Sequence, residues 1–214
     1  MKKSPFLPVV STACLFFAAI VPALAQDAAP TQPDVSYFTK VRMDYAGRAD
    51  FNPLWKMDEQ RKTIVTAFKE ATAATDATAA AKAYGKVAEM AKAWTEKCPV
   101  DAEVHFIRAQ ALIALGDIGH YAAERFYCAG LIQSIASSGD GQSEKTAFKV
   151  ISEAEEYYLL GDFGAEPTGQ SLNGACDVVR CKLADGKEVT YYFDIGIALA
   201  AEQKLAEKKP ADAH

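Results

Sequence analysis

From about Asp101 to Gly161, apolar residues recur three and four apart with few pauses, a spacing that commits the middle of the chain to stacked α-helices. Val104, Ile107, Ala111 and Leu115 form one helical stripe, and Asp117 restarts the pattern. From Ile118 to Ala136 the apolar residues lie on two faces, with Ile118, Tyr121, Ala122, Ala129 and Ile132 on one and Phe126, Leu131 and Ile135 beside it. A helix of that kind must be covered on more than one side. The tract breaks at Ser138-Gly139-Asp140-Gly141. It resumes from Glu144 through Ala147, Val150, Ile151, Ala154 and Tyr158, which predicts a last helix of the tract ending at Leu160 with Gly161 as its C-cap.

Three more helices are expected upstream. Asp34 caps the first, whose stripe is Tyr37, Val41 and Tyr45 with Phe38 beside it, ending near Gly47. Asn52-Pro53 is a turn signal, because proline fixes its own φ and pushes the residue before it out of the helical region. Asp58 to Ala71 and Asp76 to Lys97 read as the second and third, the latter stopped by Cys98-Pro99 before Asp101 caps the next. Beyond a loop holding Pro167, Gly169, Asn173 and Gly174, strands at Asp177 to Leu183 and Glu188 to Ile195 flank Asp185-Gly186, a hairpin signal. A two-residue turn there would pair Val178 with Phe193, Arg180 with Tyr191 and Lys182 with Val189. An isolated hairpin is marginal in water, so it must dock on the helices or gain a strand. The expected fold is therefore mainly α, of α+β type, with one helical domain over residues 34–197 and a flexible tail over 198–214.

Lys2 and Lys3, the apolar run Phe6 to Val21 and Ala23-Leu24-Ala25 before Gln26 have the order of an export signal. Residues 1–25 are read as that signal and 26–33 as a flexible leader, so the expected location is periplasmic or secreted. No later stretch approaches the roughly 20 apolar residues of a membrane span. Removing the signal takes 23 basic residues to 21 against 28 acidic, a net charge of −7 that repels nucleic acid and anionic lipid. Cys98, Cys128, Cys176 and Cys181 then remain, and in an oxidising compartment they allow three complete pairings. A Cys98 to Cys128 bridge would close about 30 residues and add roughly 3.6 kcal/mol in the chain-entropy model. If Asp177 to Lys182 is a regular strand, Cys176 and Cys181 point to opposite faces at roughly 16 Å, too far to bridge.

Helix to Lys97, Pro99, helix to Leu115, Gly116-Asp117, helix onward: this order resembles tetratricopeptide-repeat hairpins. In that family a proline closes one repeat and a Gly-Asp turn links the helices of the next. The likeness covers about residues 76 to 135, short of the roughly three repeats a solenoid needs, so flanking helices must complete the core. A second resemblance rests on Ser138-Gly139-Asp140-Gly141, Ala147-Phe148-Lys149-Val150-Ile151, Glu155-Glu156-Tyr157 and Tyr192-Phe193-Asp194-Ile195. With these motifs the chain resembles domain of unknown function 4919, a family of exported bacterial proteins. The resemblance implies an envelope or secreted location and carries no chemistry across.

Candidate functional residues follow from residue chemistry. His105 and His120 are the histidines of the helical tract, and histidine is the natural proton carrier near neutral pH. Asp140, between two glycines, could meet a ligand; its plainer role is to hold a turn or cap the next helix. Glu155 and Glu156 crowd one turn, and the neighbours of Glu155, Ile151 and Leu159, set it nearer the core. An inward carboxylate there would need Arg125, Arg108 or a histidine as partner. Nucleophile-elbow, phosphate-loop and dinucleotide fingerprints are absent, so no cofactor is expected. The favoured function is a non-catalytic binding or interaction module taking a protein or peptide of the envelope. The alternative is a hydrolase using His105 with Asp140, Glu155 or Glu156.

Overall fold

A computed structural model describes residues 32–208. The predicted signal, most of the leader and the last six residues lie outside the described part. The helices are α1 (Val35–Ala46), α2 (Glu59–Ala73), α3 (Ala77–Lys97), α4 (Ala102–Ala114), α5 (Ile118–Ala136), α6 (Glu153–Asp162) and α7 (Gly196–Lys208). The strands are β1 (Phe148–Lys149), β2 (Ala165–Asn173), β3 (Cys176–Leu183) and β4 (Glu188–Asp194). Among the described residues no helix is long and apolar enough to cross a membrane.

The helices start where short acids and serines stop the preceding extended chain. The side chains of Asp34, Asp58, Asp76, Asp101, Asp117 and Ser152 each accept a hydrogen bond from a backbone N–H in the first turn of the helix that follows. Sequence neighbours pack together, α2 on α3, α3 on α4 and α4 on α5, with α1 laid against α5. Ile64, Val87, Ala91, Trp94, Val104, Ile107, Leu131 and Ile135 fill the space between them. On α1 the inward residues are Phe38 and Arg42, whereas Tyr37, expected in the stripe, is exposed.

Phe38 reaches α5 at Gly130, where a Cβ would stand 2.1–2.4 Å from three atoms of the Phe38 ring. Alanine in a helix normally stabilises relative to glycine by up to about 1 kcal/mol. Here the overlap reverses that sign. Gly130→Ala is expected to cost about 1–3 kcal/mol, read as a lowered denaturation midpoint.

The C-terminal part differs from expectation in five places. Residues 144–151 do not open a helix: Glu144–Thr146 is one 3₁₀ turn, and β1 follows as a parallel partner of β4. The helix starts only after Ser152 and runs past Gly161, with left-handed Gly164 beyond its end at φ +65°. The segment read as a loop is β2, so the hairpin gains strands on both sides in the order β1-β4-β3-β2. β2 is an edge strand, where proline is tolerated, and its register shifts between Pro167 and Gly169.

The hairpin register is one residue off. The turn holds three residues, Ala184 to Gly186, closed by Leu183 N–H to Lys187 O at 2.9 Å, with Gly186 at φ +87°. Asp177 therefore faces Phe193, Val179 faces Tyr191 and Cys181 faces Val189. A one-residue slip exchanges faces, so Val179 and Cys181 are buried while Arg180 and Lys182 are exposed. Finally, the expected tail forms α7 as far as Lys208, anchored by buried Ile195 and Ala198.

Candidate functional site

Most of the polar side chains that the fold takes inside fall into four groups, each joining separate elements. The most buried group surrounds Arg42. Its Nε and Nη2 donate to the two oxygens of Glu155 at 2.8 and 2.6 Å, and Nη2 also donates to Lys149 O at 2.8 Å. Nη1 reaches Ser134 Oγ at 3.3 Å, and Glu155 Oε2 accepts the Ile151 N–H at 2.9 Å. The two side chains are 1% and 3% exposed. Sequence reasoning placed Glu155 near the core but named Arg125, Arg108 or a histidine as its partner; the partner is Arg42.

A second group gathers on Asp101. Beyond capping α4, it accepts from Arg61 Nε at 2.7 Å and from Trp94 Nε1 at 2.9 Å, so one carboxylate binds α2, α3 and α4 together. Glu103 takes the outer side of the same guanidinium. The Arg61 pKa ends above its ordinary value because the two acids outweigh the burial that opposes its charge.

His105 belongs to a third group. Its Nδ1 lies 2.6 Å from Glu124 Oε2 and its Nε2 3.0 Å from Pro99 O, while the ring lies 4.6 Å from that of Tyr127. Arg108 holds the other Glu124 oxygen. The carboxylate brought to His105 is thus Glu124, which sequence reasoning missed, rather than Asp140, Glu155 or Glu156. Its only signal was position, since Glu124 lies on the helix after the one that carries His105.

The fourth group is at the start of α6. Glu156 is buried, and its carboxyl lies within hydrogen-bonding reach of Asp177 on β3. Gln170 Nε2 donates to Asp177, and the Tyr157 hydroxyl donates to Gln170 Oε1 at 2.9 Å. Burial first, then the acids Asp177 and Glu153, push the Glu156 carboxyl up to about 9.

The remaining candidates stand apart. His120 is exposed and bonded through Nδ1 to Asp117, the cap of its own helix, at 2.7 Å. Arg125 lies at the surface, 5.7 Å from the centre of the Phe106 ring. Asp140 is exposed and accepts the Gln142 N–H at 2.9 Å, a local turn, and contact with the Thr146 hydroxyl lowers its pKa. Among the described residues no group of three His, Cys, Asp or Glu is placed to hold a metal.

The four cysteines are buried free thiols. Burial drives Cys98 up to about 12 and Cys181 up to about 11, which suppresses the reactive thiolate. Cys128 donates to Ala102 O at 3.3 Å and lies 3.4 Å from the Tyr158 hydroxyl. Cys176 and Cys181 sit five residues apart on the regular strand β3, the arrangement that keeps such a pair from bridging.

What these groups share is that their charges meet inside the fold. A cavity of about 10 Å³ beside Trp55, Glu103, Glu155 and Tyr158 has room for one water at most. A larger groove of about 280 Å³ lies elsewhere, between Phe51 and Arg48 on one side and Lys204 and Leu205 of α7 on the other. No curated protein and no solved structure matches the chain. The family described as Domain of unknown function (DUF4919) matches residues 40–204, from within α1 to within α7. All four polar groups fall inside that span, and the chain belongs to the domain of unknown function 4919 family.

Proposed function

We propose that this protein is an exported, non-catalytic binding module of the bacterial cell envelope, and that its helical body receives a protein or peptide. The observation that carries the reading is an apolar surface on α5. Ile118, Ala122 and Phe126 succeed one another at four-residue spacing and are exposed, Ile118 to 59%. Ile113 and Leu115 at the end of α4 extend the surface, and Tyr37 continues it past Phe126 through the Phe38 ring that touches both. Contiguous exposed apolar side chains rimmed by polar ones, here His120 and Arg125, are the usual mark of a contact surface. The histidine and carboxylates of the hydrolase alternative have other engagements: both nitrogens of His105 are occupied, and Glu155 is clasped by Arg42. The tetratricopeptide-like order of α3, α4 and α5 and the export signal belong to the same reading.

The test is photo-crosslinking in a cell that exports the protein, with the crosslinker at Tyr37 or, as a control on the β2 edge, at Ser171. A partner band formed from Tyr37, absent from Ser171 and lost when Ile118→Glu is added to the Tyr37 probe, is the expected result. Equal bands from both positions, or a Tyr37 band that survives Ile118→Glu, would overturn the assignment of this surface.

A further inference from the structure

Helix α6 begins with three acids in its first turn, and the fold treats each differently. Glu155 takes Arg42. Glu153 stays half exposed and reaches Lys56 at 3.3 Å, and the same ammonium sits 3.8 Å over the Tyr157 ring. Glu156 is 1% exposed, and its Oε2 is the one buried carboxylate oxygen without a hydrogen-bond partner among the described residues. Opposite stands Asp177, itself buried, which takes its hydrogen bond from Gln170 of the edge strand. Lys56, the cation on this side, is held at the solvent edge by Glu153 and Tyr157 and leaves the two inner carboxyls without a counter-ion of their own.

Two carboxyl groups at hydrogen-bonding distance and out of water cannot both be ionised, since burial and like charge act in the same direction. We propose that Glu156 and Asp177 hold one proton between them, and that this O–H to carboxylate bond is a pH-sensitive clasp fastening α6 to the β2–β3 edge of the sheet. The charged and titratable groups facing Glu156 come from each element packed there: Glu153 and Tyr157 on α6, Lys56 from the 3₁₀ turn Trp55–Met57, and Asp177 on β3. The elevation of Glu156 to about 9 accords with this geometry. A glutamate whose folded value lies above its unfolded one gives its full stability below the unfolded value, about 4.3, and loses it as pH rises through the folded value. The clasp is therefore closed in acid and neutral solution and opens in alkali.

Carboxyl-carbon NMR of the wild-type chain, titrated from pH 4 to 10, tests this without any substitution. The Glu156 carboxyl is expected to titrate several pH units above an exposed glutamate, with the Gln170 and Asp177 amide shifts following the same midpoint. In parallel, unfolding of wild type and Glu156→Gln is compared across the same range. Glutamine still donates to Asp177 and does not titrate, so the folded-to-unfolded ratio of wild type relative to the variant should fall about tenfold per pH unit between the two values. An ordinary Glu156 titration, amide shifts that do not follow it, or parallel stability curves for the two proteins would each overturn the clasp.

Discussion

Arg42→Ala lowers folding stability by about 3–5 kcal/mol, the penalty for stranding one member of a buried ion pair. The loss is large because the guanidinium serves four elements at once. It grips both oxygens of Glu155 on α6, the carbonyl of Lys149 on β1 and the hydroxyl of Ser134 on α5, from its own place on α1. Without it, the Glu155 carboxylate keeps only the Ile151 N–H and must either carry an uncompensated charge in the core or take up a proton. Equilibrium denaturation should show the fall as a shifted midpoint with little change in slope. At this chain length about 2–4 °C is lost per kcal/mol, so melting should drop by roughly 10 °C. Replacing both partners together by apolar residues of similar volume should cost much less than Arg42→Ala alone.

Asp101→Ala is the second large effect, expected to cost about 3–5 kcal/mol. One carboxylate here caps α4, pairs with Arg61 and accepts the Trp94 N–H, at 2% exposure. Its removal leaves the buried Arg61 guanidinium with Glu103 alone and strands a buried indole donor as well as the helix end. Asp76→Ala is the control that separates these contributions. Asp76 caps α3 through Ala79 N–H but is exposed and makes no buried pair, so its loss should cost only about 1 kcal/mol. Asp101→Asn should fall between, because the amide oxygen can still cap while the charge opposite Arg61 is gone. Comparable midpoints for Asp76→Ala and Asp101→Ala would mean that Asp101 acts as a cap alone.

The helical half was legible because its signals are local. Asp34, Asp101 and Asp117 stand at helix starts, Pro99 follows a helix end, and three-and-four spacing marks the faces that are buried. Arg42 was not legible. It lies four residues after Phe38 and so shares its inward face, but its partner is 113 residues away, and periodicity carries no record of a distant partner. The region before α6 misled for a related reason: Ala147, Val150 and Ile151 are buried as extended chain beside β4, and a short apolar run has the same letters in either conformation. β2 was hidden by Pro167 and Gly169, residues an edge strand tolerates and a central one does not. The hairpin's existence followed from Asp185-Gly186, while its register turned on whether Ala184 belongs to the turn. Of the candidate residues, the sequence offered the acids and histidines; their assortment into Arg42–Glu155, Glu156–Asp177 and His105–Glu124 needed three dimensions.

A double-mutant cycle on Arg42 and Glu155 is the most direct test of the idea that the most conspicuous charged residues of this chain bind its own elements together. Denaturation of wild type, Arg42→Met, Glu155→Leu and the double variant should give a coupling energy of about 3 kcal/mol, with the double variant near the stability of wild type. A coupling near zero, with each single substitution tolerated, would contradict the account and leave the two side chains free for another role.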